Sequence, residues 1–206
     1  MAVTSEEAAK LVTTGRARPA AGVQAGAVFS EDRRFRYALT RCWASGPVMK
    51  IVMLNPSTAA ESTDDPTVRR CVGFARAGGC AGLVVGNLFA WRSSDPSDLR
   101  TAADPVGPDN DEWLEWIVSR PGPLVAAWGA RADAGRVGDV LELIGTRDLL
   151  CLGVTRHGQP RHPLYVRADT ALQPLLPLAR LALQPVAALE PVAALQPEAG
   201  VRGAGR

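Results

Sequence analysis

Four short runs of nearly unbroken apolar residues constrain this chain more than any other feature: VMKIVML (48–54), GLVVGNLF (82–89), PLVAAW (123–128) and LLCLGV (149–154). A strand solvated on one face alternates apolar and polar residues. Unbroken runs of this length instead suit strands covered on both faces, as in a parallel sheet. A fifth run, RFRYALTRCW (34–43), sets Phe35, Tyr37, Leu39 and Arg41 against Arg36, Ala38 and Thr40, a half-buried pattern with one basic intrusion. Helical segments with defined ends lie between the runs. Asp65-Pro66-Thr67 opens one, since aspartate caps free backbone donors and proline fits the first helical position. Val68, Cys71, Val72 and Ala75 line its inner face, and Gly78-Gly79 stops it. A second segment begins near Pro108 and buries Trp113, Leu114, Trp116 and Ile117; a third follows Gly129 with Val137, Val140, Leu141 and Ile144. Alternating strand and helix predicts an α/β fold, three-layer α/β/α with a mainly parallel central sheet.

The 206 residues hold 47% hydrophobic and 21% charged residues, enough apolar material for a core and too much for wholesale disorder. Residues 1–28 are rich in Ala, Gly and Thr and read as a flexible segment. Residues 181–206 repeat PVAAL at a spacing of six, which matches neither helix nor strand, and read as a low-complexity Pro/Ala-rich tail. The working domain is expected over 29–180. No apolar run approaches the roughly 18–20 residues that cross a bilayer, and the first residues lack the order of a signal peptide. The chain therefore reads as cytoplasmic, without membrane contact. A net charge of +2 is too mild to declare a nucleic-acid binder, although it leaves room for a local basic groove. Cys42, Cys71, Cys80 and Cys151 have no C-x-x-C spacing and read as free thiols.

Ligands of open α/β sheets sit at the carboxyl ends of the strands. Here those ends carry Asn55-Pro56-Ser57, Asn87-Leu88-Phe89 followed by Trp91-Arg92, Trp128-Gly129, and a last loop holding His157 and His162. The Asn55 amide can hold a water or a polar ligand atom while Pro56 stiffens the turn, or Asn-Pro is a plain strand exit. Asn87, directly after an apolar strand, either satisfies backbone groups or reads a ligand edge with donor and acceptor together. Arg92 suits a phosphate or carboxylate, or a salt bridge to Asp95 or Asp98. His162 can donate to a developing anion, or be pinned by its proline turn. Asp65 is better spent as a helix cap than as a metal ligand. Walker, G-x-G-x-x-G, H-E-x-x-H and nucleophile-elbow motifs are missing, which argues against nucleotide hydrolase, dehydrogenase and zinc-protease readings.

In their order, RFRYALTRCW, MLNPSTA, DDPTVRRC, GNLFAWRSSDP, PVGPDND, AAWG and GQPRHPLY resemble a bacterial and phage family catalogued as domain of unknown function 1643. The strand-end motifs resemble, more remotely, those of the uracil-DNA glycosylase superfamily. That resemblance implies that Asn55 positions the attacking water, that Asn87 reads the base, and that His162 stabilises the leaving base. Departures accompany it. The first turn has no acid, the glycine usual before it is Met53 or Leu54, and the residues after His162-Pro163 are Leu-Tyr-Val. The expectation is an N-glycosidase of nucleic acid or nucleosides, with Asn55 and His162 catalytic. Pro56, Ser57, Asn87, Phe89, Arg92 and Gly129 would bind substrate, with Phe89 or Trp91 stacking on the base. The alternative is a nucleotide or modified-base binding protein that does not cleave. Neither needs a metal or an organic cofactor; the expected state is a monomer and the expected partner a nucleic acid or nucleotide.

Overall fold

A computed structural model describes residues 24–57 and 64–175. The expectations for 1–23 and for the tail lie outside the described residues. In chain order the elements are β1 (Gln24–Phe29), β2 (Arg36–Cys42), β3 (Val48–Met53), α1 (Pro66–Ala77), β4 (Gly82–Asn87), α2 (Asn110–Val118), β5 (Leu124–Ala126), α3 (Ala134–Ile144), β6 (Leu150–Cys151) and β7 (Gln173–Pro174). Short 3-10 turns occupy Pro96–Arg100 and Pro163–Tyr165. The expected domain boundary at residue 29 falls at the end of β1, whose small residues carry little apolar signal of their own.

The fold is mixed α/β, with all seven strands in one sheet of order β1-β2-β4-β3-β5-β6-β7. Parallel pairing, expected for most of the sheet, is confined to the four central strands: β3 pairs in parallel with β4 and β5, and β5 with β6. Antiparallel pairing holds the outer strands, β1 on β2, β2 on β4 and β7 on β6. The apolar runs are explained by this centre. Met49, Ile51 and Met53 of β3 pack with Leu83 and Val85 of β4 against Val68, Cys71 and Ala75 of α1. Val52 and Leu54 point the other way, into a cluster with Leu114 of α2 and Val137, Val140 and Leu141 of α3. Both faces of the central strands are thus covered, which continuous apolar sequence requires.

The strand 34–43 departs from simple alternation. The register between β1 and β2 slips between Val28 and Phe29, opposite Ala38 and Arg36, so Tyr37 is the extra residue of a bulge. Arg36, Tyr37, Ala38 and Leu39 are all buried as a result. Trp116, expected in the core, is only half-buried and meets Trp113 edge-on with Arg120 over its ring. The cysteines are free thiols, three buried and Cys42 half-buried. Among the described residues no helix is long and apolar enough to cross a membrane.

Helix α1 begins as its sequence predicts. The Asp65 carboxylate accepts from the Val68 amide (2.8 Å) and from Ser57 Oγ (2.9 Å), so one side chain caps the helix and ties it to the end of β3. Asp65→Ala is expected to cost about 1 kcal/mol, with Asp65→Asn retaining most of the stability; urea denaturation midpoints of the two variants against wild type measure this.

Candidate functional site

Chain order and space part company at β3. The chain leaves β3 through α1 to β4 on one flank, then crosses through α2 to β5 on the other. Such a reversal opens a crevice above the carboxyl ends of the parted strands, where ligands of open α/β sheets bind. A cavity of about 570 Å³ lies there, a size suited to a small organic ligand. Its walls are Leu54 and Asn55 after β3, Ser94 and Pro96 after β4, and Trp128, Gly129, Ala130 and Arg131 after β5. Thr155, Arg161, His162 and Tyr165 complete it from the loop after β6. Another concavity, of about 590 Å³, lies on the outside of α2 and α3 beside Glu112, Glu115 and Arg147. No strand end reaches it, so the crevice above β3 is the stronger candidate.

The half-buried Asn55 is oriented by its neighbours. Its Nδ2 donates to Ser93 O (2.9 Å) and Pro56 O (3.2 Å), both carbonyls, which fixes the amide nitrogen on that side and leaves Oδ1 as the acceptor. Among the described residues no donor is paired with Oδ1. Ser93 N in turn donates to Pro56 O (3.0 Å), so the turn after β3 and the loop after β4 are stitched together. Buried Pro56 and half-buried Ser57, the latter committed to Asp65, shape this turn and do not line the cavity.

His162 is half-buried and caps the 3-10 turn at Pro163–Tyr165: Nδ1 accepts from the Leu164 amide at 3.3 Å, assigning the proton of the neutral ring to Nε2. Burial pushes its pKa below the usual histidine value of 6.5, with the Asp65 carboxylate opposing. At neutral pH the ring is therefore an uncharged Nε2–H donor. Gly129, at φ +82°, makes room for it; a Cβ there would stand 3.2 Å from His162 Cβ. The adjoining strand end is held by Gly129 N to Pro160 O (2.9 Å) and Trp128 Nε1 to Gln159 Oε1 (2.7 Å).

The remaining expected residues are placed elsewhere. Asn87 is 2% exposed and faces α1, because Val85 packs on that helix while Val84 and Gly86 face α2. Its Nδ2 is enclosed and has no acceptor among the described residues. Phe89 belongs to the core and is unavailable for stacking. Trp91 meets Phe35 edge-on, and Arg92 lies over Phe29 and donates to Arg33 O (2.8 Å). None of these four lines the cavity. The structure thus brings together Asn55, Gly129 and His162, and leaves Asn87, Phe89 and Arg92 behind or beside them.

Sequence reading missed Tyr165, Thr155, Arg131 and Arg161. Tyr165 is 79% exposed, and its ring lies 5.6 Å from that of His162. Thr155 Oγ1 is enclosed at the wall without a hydrogen-bond partner among the described residues. An aromatic residue two positions past His162-Pro163 was the one signal available in advance. The arginines give the lining a positive character, since no carboxylate is among its residues.

Two outcomes follow from this geometry. Gly129→Ala is expected to lose about 1–3 kcal/mol, because a side chain is strained at this φ and presses on His162; thermal denaturation reads it. The lowered pKa of His162 means that the unfolded chain binds its proton first as pH falls. Wild type should therefore lose stability as pH drops from about 6.5 through the lower folded-state value. His162→Asn should flatten that part of the pH–stability curve, and an unchanged slope would refute the assignment.

No curated protein and no solved structure matches the chain. Residues 36–164, more than half of the 206, match the family described as Protein of unknown function (DUF1643). Every strand that frames the crevice falls within that span, and the chain belongs to this family.

Proposed function

We propose that the crevice above β3 hydrolyses the N-glycosidic bond of a nucleic acid or nucleoside, in the manner of the uracil-DNA glycosylase superfamily, on a three-layer fold of that kind. The observation that carries this reading is the pairing, on one cavity, of an oriented acceptor with an uncharged donor: Asn55 Oδ1 and His162 Nε2–H. Water donating to Oδ1 is held with its oxygen lone pair free to meet the anomeric carbon. The carbon–nitrogen bond breaks with its electron pair going to the base, and His162 Nε2–H stabilises the charge gathering there. A neutral imidazole is suited to this role, since a cation at Nε2 would have to be desolvated first. The water oxygen bonds to carbon and gives up its proton to solvent. A neutral amide is a poor base, but a dissociative transition state calls for positioning and electrostatics more than proton abstraction.

Tyr165 takes the stacking role expected of Phe89 or Trp91, and Arg131 and Arg161 give phosphates a partner at the mouth. A second reading, binding without cleavage, is favoured by the absence of a carboxylate from the lining. Oligonucleotides carrying uracil, hypoxanthine or hydroxymethyluracil, incubated with the protein and then treated with alkali, separate the two. Hydrolysis predicts strand scission that falls about 100-fold or more in Asn55→Ala and in His162→Ala. Scission retained in both variants overturns the assignment, and binding of the same oligonucleotides without scission favours the second reading.

A further inference from the structure

The polar residues buried around the central strands fall into two groups. Most have clear partners: Lys50 Nζ donates to Arg120 O (2.5 Å), and Arg41 pairs with Asp64 (2.7 Å). Asn110 Nδ2 reaches Asn87 O and Leu88 O (3.1 Å each), while Arg136 Nε donates to Leu88 O (2.7 Å) and its guanidinium pairs with Asp111. Arg36 is the exception among the buried cations. It is 6% exposed, its Nε is enclosed, and among the described residues its side chain has neither a hydrogen-bond acceptor nor an ion pair. Burial pushes its pKa down to about 10; Asp65 opposes, while Arg92 and Arg41 add to the depression. Asp65 is the acid that bears on it, yet both Asp65 oxygens are already committed, one to Val68 N and the other to Ser57 Oγ.

An enclosed guanidinium N–H without an acceptor is costly, and native structures rarely keep one for packing alone. The second orphaned donor of the same region, Asn87 Nδ2, lies on the same sheet face, since Phe35 and Tyr37 join the α2-side cluster while Arg36 between them feels the charge of Asp65 at the start of α1. Met53 pairs with Asn87 across β3 and β4, and the backbone of Arg36 donates to Ala90 O, three residues further on. We propose that Arg36 and Asn87 form an inner oxyanion subsite on the α1 face, taking a phosphate or carboxylate group of a ligand. The planar fork of Arg36 suits either group, and the Asn87 amide supplies one further N–H. This subsite stands apart from the glycosidic reading, because neither Asn55 nor His162 takes part in it.

The test is thermal denaturation of the full chain in inorganic phosphate, in acetate and in chloride at matched ionic strength. Wild type is expected to melt higher in phosphate or in acetate than in chloride, and the effective anion identifies the group. Arg36→Met should lose that shift and melt at or above wild type in chloride, since an uncompensated buried charge has been exchanged for an apolar chain of similar length. Arg36→Lys keeps the charge without the fork and should retain less than a tenth of the wild-type anion affinity. If neither anion shifts wild type, or if both variants respond to anions as wild type does, the subsite is overturned. A lower melting point of Arg36→Met in chloride overturns it equally, because that marks a structural cation. Failure of the oligonucleotide assay leaves these outcomes untouched.

Discussion

A strand whose neighbours on either side belong to opposite directions of chain travel governs this molecule. Because β3 has β4 on one flank and β5 on the other, the connections that leave these strands must diverge above their carboxyl ends. That divergence leaves backbone groups in need of partners, and the sequence meets the need with side chains. Asn55 holds the carbonyls of Ser93 and Pro56, Asp65 joins Ser57 to the start of α1, and Gln159 takes the Trp128 indole. Of these residues, Asn55 and Trp128 also line the crevice. Structure and site are here a single problem of satisfying strand ends.

The opposite face of β4 shows how firmly one strand end can be fixed. Asn110 and Arg136 come from different helices and converge on the carbonyls of Asn87 and Leu88, with Asp111 anchoring the guanidinium. Gly86 lets α2 approach closely, since a Cβ there would meet Leu114 and Ile117 within 3 Å. Backbone acceptors at the end of β4 are thus met from the α2 side, while among the described residues Asn87 Nδ2 and Arg36 Nε on the α1 side and Asn110 Oδ1 on the α2 side have no partner.

Much of the scaffold was legible in advance, because it rests on local signals. Continuous apolar runs marked the central strands, and Asp65-Pro66 marked the start of α1, since capping chemistry is read within a few residues. Asn55, Gly129 and His162 could be assigned to strand ends for the same reason. Features that depend on distant partners were less accessible. The bulge at Tyr37 arises from pairing with β1, a strand of small residues, and it buries Arg36 where alternation alone leaves it half-exposed. Phe89 and Tyr165 are both aromatics beside strand-end motifs; only the packing of α2 and α3 decides that the first is core and the second surface. β7 is two residues long and carries no periodicity to detect.

The near-contact of Gly129 with His162 divides the crevice into parts with different freedom. Position 129 has no room for a side chain, and the imidazole is braced from behind by the turn it caps, so this floor tolerates little variation. Arg131 and Thr155 stand on loops around it, Tyr165 at the exposed end of the 3-10 turn, and none of them belongs to a packed core cluster. Substitution is therefore tolerated more readily at this rim than at the floor.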